Sequence, residues 1–212
     1  MTLALVIGCL ACLATLGAGC GKLLGPKEAA PLPSYPDGPE GLKSLFSAVL
    51  AAGLADDRPL VHAYFQSLKM TKPELDRLFG PRAAEISPVY EEMMSTLINR
   101  GSVELVAMIY EKKYDAVEVL PVTLPPLDGE KAIGPMGANG MPAGPRPDEL
   151  ALTRTLVSPP QLYSVRFKKT GESLGTRYDF LFYSDGHWRT GNQLGKAIAK
   201  RDADLTATPP TR

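Results

Sequence analysis

The side chains best suited to catalysis or metal binding are few in this chain. Its 212 residues include two histidines, His62 and His187, and three cysteines, all within the first twenty positions. From residue 20 onward there is no His-x-x-x-His or Cys-x-x-Cys spacing, which is the ligand pattern of standard zinc sites. We therefore expect neither a metal site nor a cofactor.

Two residues are candidates for a general base, His62 and Asp179. His62 follows Asp57 by five residues in a predicted helix, beside its apolar stripe. A histidine–carboxylate pair that lines a pocket can take up a proton from a substrate. A histidine on a helix surface near acidic residues of the first turn is a commoner arrangement, and it has no catalytic meaning. Both interpretations stay open.

A predicted strand over 177–183 carries the candidate binding residues. Alternation places Tyr178, Phe180 and Phe182 on one face. The other face then holds Arg177, Asp179, Leu181 and Tyr183. Because both faces are partly apolar, one should pack on helices and the other should meet a cavity, a loop or another subunit. Arg177 and Asp179 could anchor a ligand in a pocket, or they could form cross-strand ion pairs with Arg166 or Lys168.

The elements that position these residues follow from periodicity. Helical spacing with start and stop signals predicts four helices between residues 42 and 101, and 102–112 favours a fifth. We expect capping boxes at Asp37–Glu40 and Thr71–Glu74. Strands are expected from Val117, over 162–169 and 176–184, and after the turn signal Asp185-Gly186. Helices packed on an antiparallel sheet make an α+β domain.

Composition divides the rest of the chain. Residues 20–40 are rich in proline and predict an extended tether. The domain should span 41–199, interrupted by a flexible Pro/Gly-rich insertion over 124–149, and 200–212 should form a disordered tail. The 23 basic and 23 acidic side chains balance, which argues against a nucleic-acid partner.

The N-terminus predicts export. Residues 1–19 are free of charged side chains and end in small residues before Cys20. Leu16-Gly17-Ala18-Gly19-Cys20 resembles the lipobox of bacterial lipoproteins, with one extra small residue. That resemblance implies a signal peptide over 1–19, acylation of Cys20 and a lipid anchor in the membrane. Gly21 after the cysteine, where retention in the inner membrane uses Asp, implies the periplasmic face of the outer membrane.

The order of elements, with Asp185-Gly186-His187-Trp188-Arg189 near its end, resembles the nuclear transport factor 2-like superfamily over about residues 41–195. Its members enclose a conical pocket between helices and a curved sheet, and only some are enzymes. We therefore expect a non-catalytic envelope lipoprotein that binds a small apolar ligand or an envelope protein. The alternatives are an isomerase- or hydrolase-type pocket enzyme that uses His62 or Asp179, and a structural domain that forms a homodimer through the sheet.

Overall fold

The computed structural model describes residues 31–124 and 147–207, and the described residues from Leu32 onward form one compact unit. The predicted signal peptide, Cys20 and most of the insertion lie outside the described residues. The helices are α1 (Pro39–Leu54), α2 (Arg58–Ser67), α3 (Lys72–Phe79), α4 (Ala83–Thr96), α5 (Ser102–Lys112), α6 (Pro147–Thr155) and α7 (Leu194–Ala207). A 3-10 turn, Gly80–Arg82, joins α3 to α4, and a π-helical turn, Leu97–Gly101, joins α4 to α5. The α+β class is confirmed.

Local signals start and stop the first helices. The Asp57 carboxylate accepts a hydrogen bond from the Leu60 N–H at 3.1 Å and caps α2. Glu74 of the predicted capping box accepts from the Thr71 N–H at 2.6 Å. The other predicted box is wrong, because the Asp37 carboxylate accepts from the Gly38 N–H and α1 begins at Pro39.

Four antiparallel strands form a sheet in the order β1-β2-β3-β4. They are β1 (Ala116–Val122), β2 (Leu162–Lys168), β3 (Gly175–Ser184) and β4 (His187–Thr190). The tight turn predicted at Asp185-Gly186 is present, and both residues have positive φ, as a type I′ hairpin requires. Trp188 on β4 is buried and His187 is exposed.

A β-bulge in β3 overturns the predicted alternation. Tyr163 pairs with Leu181 and Val165 with Tyr178, so two residues of β3 stand opposite Ser164 alone. Phe180, in the bulge, has a φ of 56°. The extra residue reverses the alternation after it. Leu181 therefore shares a face with Tyr178, and the prediction that Leu181 and Tyr183 lie on the face of Arg177 and Asp179 is wrong.

Both faces of the sheet are covered by helices. One core joins α1, α2 and α5 to the face with Tyr178, Leu181 and Trp188. A second core joins α3, α4, α6 and α7 to the opposite face, with Phe180 and Phe182. The sheet is thus the middle layer of three, and the expectation that one of its faces needs a further partner does not hold over β3.

A buried ion pair ties β4 to the start of α3. Glu74 has no exposed surface, and its carboxylate accepts from Nε of Arg189 at 2.8 and 3.0 Å. Arg189 also donates to the Ser67 carbonyl at 2.9 Å. Burial alone would raise the pKa of Glu74, but the hydrogen bonds from Thr71 and Arg189 outweigh it and hold the pKa below its usual range.

Tyr90 of α4 completes this buried network. Its hydroxyl accepts from the Met70 N–H at 2.6 Å and donates to the Thr190 carbonyl at 3.3 Å. Burial raises the pKa of Tyr90 above its ordinary value, which keeps the hydroxyl a donor. These contacts fix the second core against the end of β4, from which the chain enters α7.

The C-terminal prediction fails in part. The segment predicted as a disordered tail from residue 200 is helical as far as Ala207. Leu194 and Ile198 are fully buried on one face of α7, and Lys200 pairs with Asp204 one turn apart at 3.1 Å. The predicted insertion is also too long at its end, because α6 begins at Pro147.

Candidate functional site

A cleft lies between α4, the π-helical turn and α7, and we call it the α4–α7 cleft. Its volume is about 640 Å³. Four apolar side chains, which we call its apolar floor, are among the residues that line it: Val89, Met93, Leu97 and Ala197. Charged side chains of both signs stand in its walls: Glu92, Arg100, Glu104, Lys200, Arg201 and Asp204.

Most charges of the walls are neutralised by neighbours. Arg100 Nε lies 2.6 Å from a Glu104 carboxylate oxygen. Lys200 pairs with Asp204 on α7, and Arg201 reaches the Glu85 carboxylate at 3.2 Å. Because these pairs lie side by side with an apolar floor, the cleft suits a ligand that is mainly apolar and carries no strong net charge.

The π-helical turn shapes one wall of this cleft through Leu97, Arg100 and Gly101. The Ile98 carbonyl, in this turn, accepts from Ser102 Oγ at 2.5 Å. Nδ1 of His62 reaches the same carbonyl at 3.2 Å. Single π turns inside helices are frequent at functional sites, and this π-helical turn lies beside the cleft.

His62 is engaged at both ring nitrogens. Gln66 Nε2 is a donor and lies 3.1 Å from His62 Nε2, which leaves Nδ1 to carry the proton that goes to the Ile98 carbonyl. Asp57 caps α2 instead of orienting this ring. His62 is not among the residues that line the α4–α7 cleft, and its contacts make it a support for the π-helical turn.

The opposite wall includes Asn192 and Gln193, which connect β4 to α7. Asn192 Oδ1 accepts from the Asp179 N–H at 3.1 Å, so it pairs with a backbone amide of the β3 bulge. The Asn192 N–H donates to Thr190 Oγ1 at 3.1 Å. The bulge that sequence periodicity missed therefore holds the wall of the cleft in place.

Arg177 and Asp179 pair with each other, with Nε and Oδ1 2.6 Å apart. The predicted alternative, an ion pair of this strand with Arg166 or Lys168, is wrong. Both of those cations contact Glu118 of β1, at 3.2 and 2.9 Å. The hydrogen bond from Lys168 holds the pKa of Glu118 below its usual range despite some desolvation. Arg177 and Asp179 thus lie next to the cleft through Asn192, and not in its lining.

The remaining predicted binding residues belong to the other side of the sheet. Leu181 is 1% exposed and packs in the first core. Tyr183 is half-buried, and its ring lies edge-on to Trp188 with centroids 5.4 Å apart. Neither side chain contributes to a flat exposed face for dimerisation.

A nucleophile pattern also occurs, at Gly171-Glu172-Ser173-Leu174-Gly175. In hydrolases, Gly-x-Ser-x-Gly places the serine on a sharp turn from a strand into a helix. Here it joins β2 to β3 in an antiparallel hairpin, and Ser173 is exposed. The pattern is therefore a hairpin loop.

Within the described residues, no group of three or more His, Cys, Asp or Glu side chains could hold a metal ion. The same part of the chain has no helix that is both long and apolar enough to cross a bilayer. Comparison with known protein families, curated proteins and solved structures yields no match to this chain.

Proposed function

We propose that this protein is a lipid-anchored envelope protein whose domain binds a small apolar ligand, without catalysis, in the α4–α7 cleft. The observation that carries the binding proposal is the apolar floor of Val89, Met93, Leu97 and Ala197 in a cleft of about 640 Å³. Small-molecule sites commonly have volumes of about 300–1,000 Å³ and a mainly apolar lining with a few polar groups.

The engagement of the candidate bases supports a non-catalytic role. A general base must reach the substrate proton directly or through one water. Both ring nitrogens of His62 are used in positioning α2 against the π-helical turn. Asp179 is paired with Arg177 on the same strand. The enzyme alternative would need one of them to leave its partners and enter the cleft.

The envelope location rests on Cys20. We infer that residues 1–19 are removed and that Cys20 carries the acyl chains, with the periplasmic face of the outer membrane as the address. One acyl chain contributes only marginal binding, so two or three chains are needed for stable anchoring. After cleavage, Cys20 would be the single cysteine of the protein, so an intramolecular disulfide could not form. Acylation would protect its thiol from oxidation.

We propose that the domain is related to the nuclear transport factor 2-like superfamily. Helices that precede an antiparallel sheet, and the hairpin with Trp188 in the core, support it. The α4–α7 cleft lies between helices, whereas the conical pocket of that superfamily has the sheet as a wall. The functional proposal therefore depends on the cleft and not on the superfamily.

A filled-cleft variant tests ligand binding. Ala197→Phe places a ring over the apolar floor, and Ala107→Phe on the exposed side of α5 is the matched control. The probe is the amphiphilic dye 1-anilinonaphthalene-8-sulfonate, followed by its fluorescence. We expect the wild type and Ala107→Phe to bind equally and Ala197→Phe to bind about tenfold more weakly, or about 1.4 kcal/mol. Equal binding by all three proteins, or binding by none, would contradict the proposal.

A further inference from the structure

The end of the predicted tether is packed on the domain. Residues 32–36, Leu-Pro-Ser-Tyr-Pro, belong to the same compact unit as the helices and sheet and have no helix or strand of their own. We call them the strap. Leu32 and Tyr35 are half-buried and pack against the first core, while Pro33, Ser34 and Pro36 are exposed.

This pattern of burial fits a polyproline-type conformation. Such a helix has three residues per turn, so every third side chain lies on one side. Leu32 and Tyr35 are three apart. The two prolines fix their own φ angles and bias the residues before them toward extended backbone. The strap therefore loses less conformational entropy on docking than an ordinary loop.

Three contacts hold the strap. The only tryptophan of the chain, Trp188, donates from Nε1 to the Pro36 carbonyl at 3.1 Å. The hydroxyls of Tyr35 and Tyr64 lie 3.2 Å apart, and their ring centroids 6.5 Å apart. Burial and the hydrogen bond with Tyr64 raise the pKa of Tyr35 above its ordinary value. An aromatic groove that bonds a proline carbonyl is how several domains recognise proline-rich segments.

The first turn of α1 is shaped to accept the strap. A Cβ atom on Gly41 would lie 1.8 Å from the Pro36 oxygen, far inside any tolerable contact. Glycine at this helical position costs about 1 kcal/mol relative to alanine. The close approach of the Pro36 carbonyl, which Trp188 also contacts, explains why a residue without a Cβ atom is needed at this position.

We propose that Tyr64 and Trp188 form a recognition groove for a proline-rich segment and that its occupant is the chain's own strap. A cleft of about 210 Å³ remains between the strap and the groove. With the strap docked, the predicted tether shortens from residues 20–40 to residues 21–31, whose length at full polyproline extension would be about 34 Å. The length of the tether matters only if Cys20 carries the proposed lipid anchor. Docking of the strap does not depend on the membrane.

Trp188 reports on the groove in the full-length protein, purified in mild detergent. In the variant Leu32→Ser/Tyr35→Ser we expect its emission to shift to longer wavelength and its quenching by acrylamide to increase. Ser34→Ala, at an exposed position of the same strap, should leave both unchanged. Gly41→Ala should act like the double variant, with Ser47→Ala on the exposed side of α1 as its control. Circular dichroism checks that helix content is preserved.

A peptide with the sequence of residues 31–39 tests recognition directly. Added to the Leu32→Ser/Tyr35→Ser variant, it should restore the wild-type emission with half-saturation at or below about 1 mM, because a short linker gives a cis ligand an effective concentration of that order. A scrambled peptide should have no effect. Unchanged emission in the double variant, or no response to the peptide up to that concentration, would overturn the proposal. Loss of lipid labelling at Cys20 would alter neither signal, so the two proposals fail separately.

Discussion

The replacement Glu74→Ala tests how the domain holds β4 and, with it, the wall of the cleft. Glu74 is fully buried and Arg189 nearly so, with Nε 2.8 Å from the nearer carboxylate oxygen. Removal of the carboxylate leaves a guanidinium in the core with the Ser67 carbonyl as its remaining contact among those described above. The Thr71 N–H at the start of α3 loses its acceptor as well.

The magnitude follows from burial. Loss of one partner from a buried ion pair costs about 3–5 kcal/mol, mostly because the other charge stays buried without compensation. Loss of a helix cap adds about 0.5–2 kcal/mol, although the two effects share the same carboxylate and do not simply add. We therefore expect Glu74→Ala to lower the free energy of unfolding by about 3–5 kcal/mol.

Glu85→Ala is the matched control on the surface. The Glu85 side chain is 58% exposed and contacts Arg82 at 3.6 Å and Arg201 at 3.2 Å. Exposed ion pairs contribute at most about 1 kcal/mol. Urea unfolding followed by circular dichroism and by Trp188 fluorescence gives both free energies, provided that the denaturant slope stays constant. Equal losses in the two variants, or a loss below about 1 kcal/mol for Glu74→Ala, would refute the reasoning.

Three further predictions concern the same cores. Folding lowers the pKa of Glu74 from its ordinary value of 4.5. The ionised carboxylate therefore makes its full contribution to the free energy of unfolding above that pH, and this contribution is lost as the pH falls through the pKa of the folded state. The stability gap between wild type and Glu74→Gln, measured by urea unfolding across this range, should therefore narrow with acid, and a constant gap would count against the pair. Tyr90→Phe leaves the buried Met70 N–H without its acceptor and should cost about 1–3 kcal/mol, while Tyr110→Phe, at a 75% exposed position, should cost nothing measurable. Leu181→Ala should cost about 2–5 kcal/mol in chemical unfolding, because the side chain is in the core. Sedimentation that instead showed a dimer dissociated by Leu181→Ala, with stability unchanged, would restore the dimerisation alternative.

Local signals explain what was predictable. The cap at Asp57 and the stop at Gly80 act on their own helices, so they can be recognised in isolation. The hairpin at Asp185-Gly186 is equally local. These elements required no knowledge of the neighbours on which they pack.

The cleft depends on long-range effects that periodicity does not reveal. The bulge at Phe180 puts a bulky residue at positive φ, an unfavourable conformation that is offset by packing of β3 on both cores. Asn192 accepts the Asp179 amide from thirteen residues away. The π-helical turn is supported by His62, 36 residues before Ile98. Leu194 and Ile198, at helical spacing, are a signal for α7 that the sequence does contain.

Metabolic labelling with a radioactive fatty acid tests the central proposal most directly. The comparison is between the wild-type protein and Cys20→Ala, expressed in a bacterium that processes lipoproteins. We predict label on the wild type and none on Cys20→Ala. Label that persists in Cys20→Ala would refute the assignment of Cys20, and absence of label from both proteins would contradict the lipid anchor altogether.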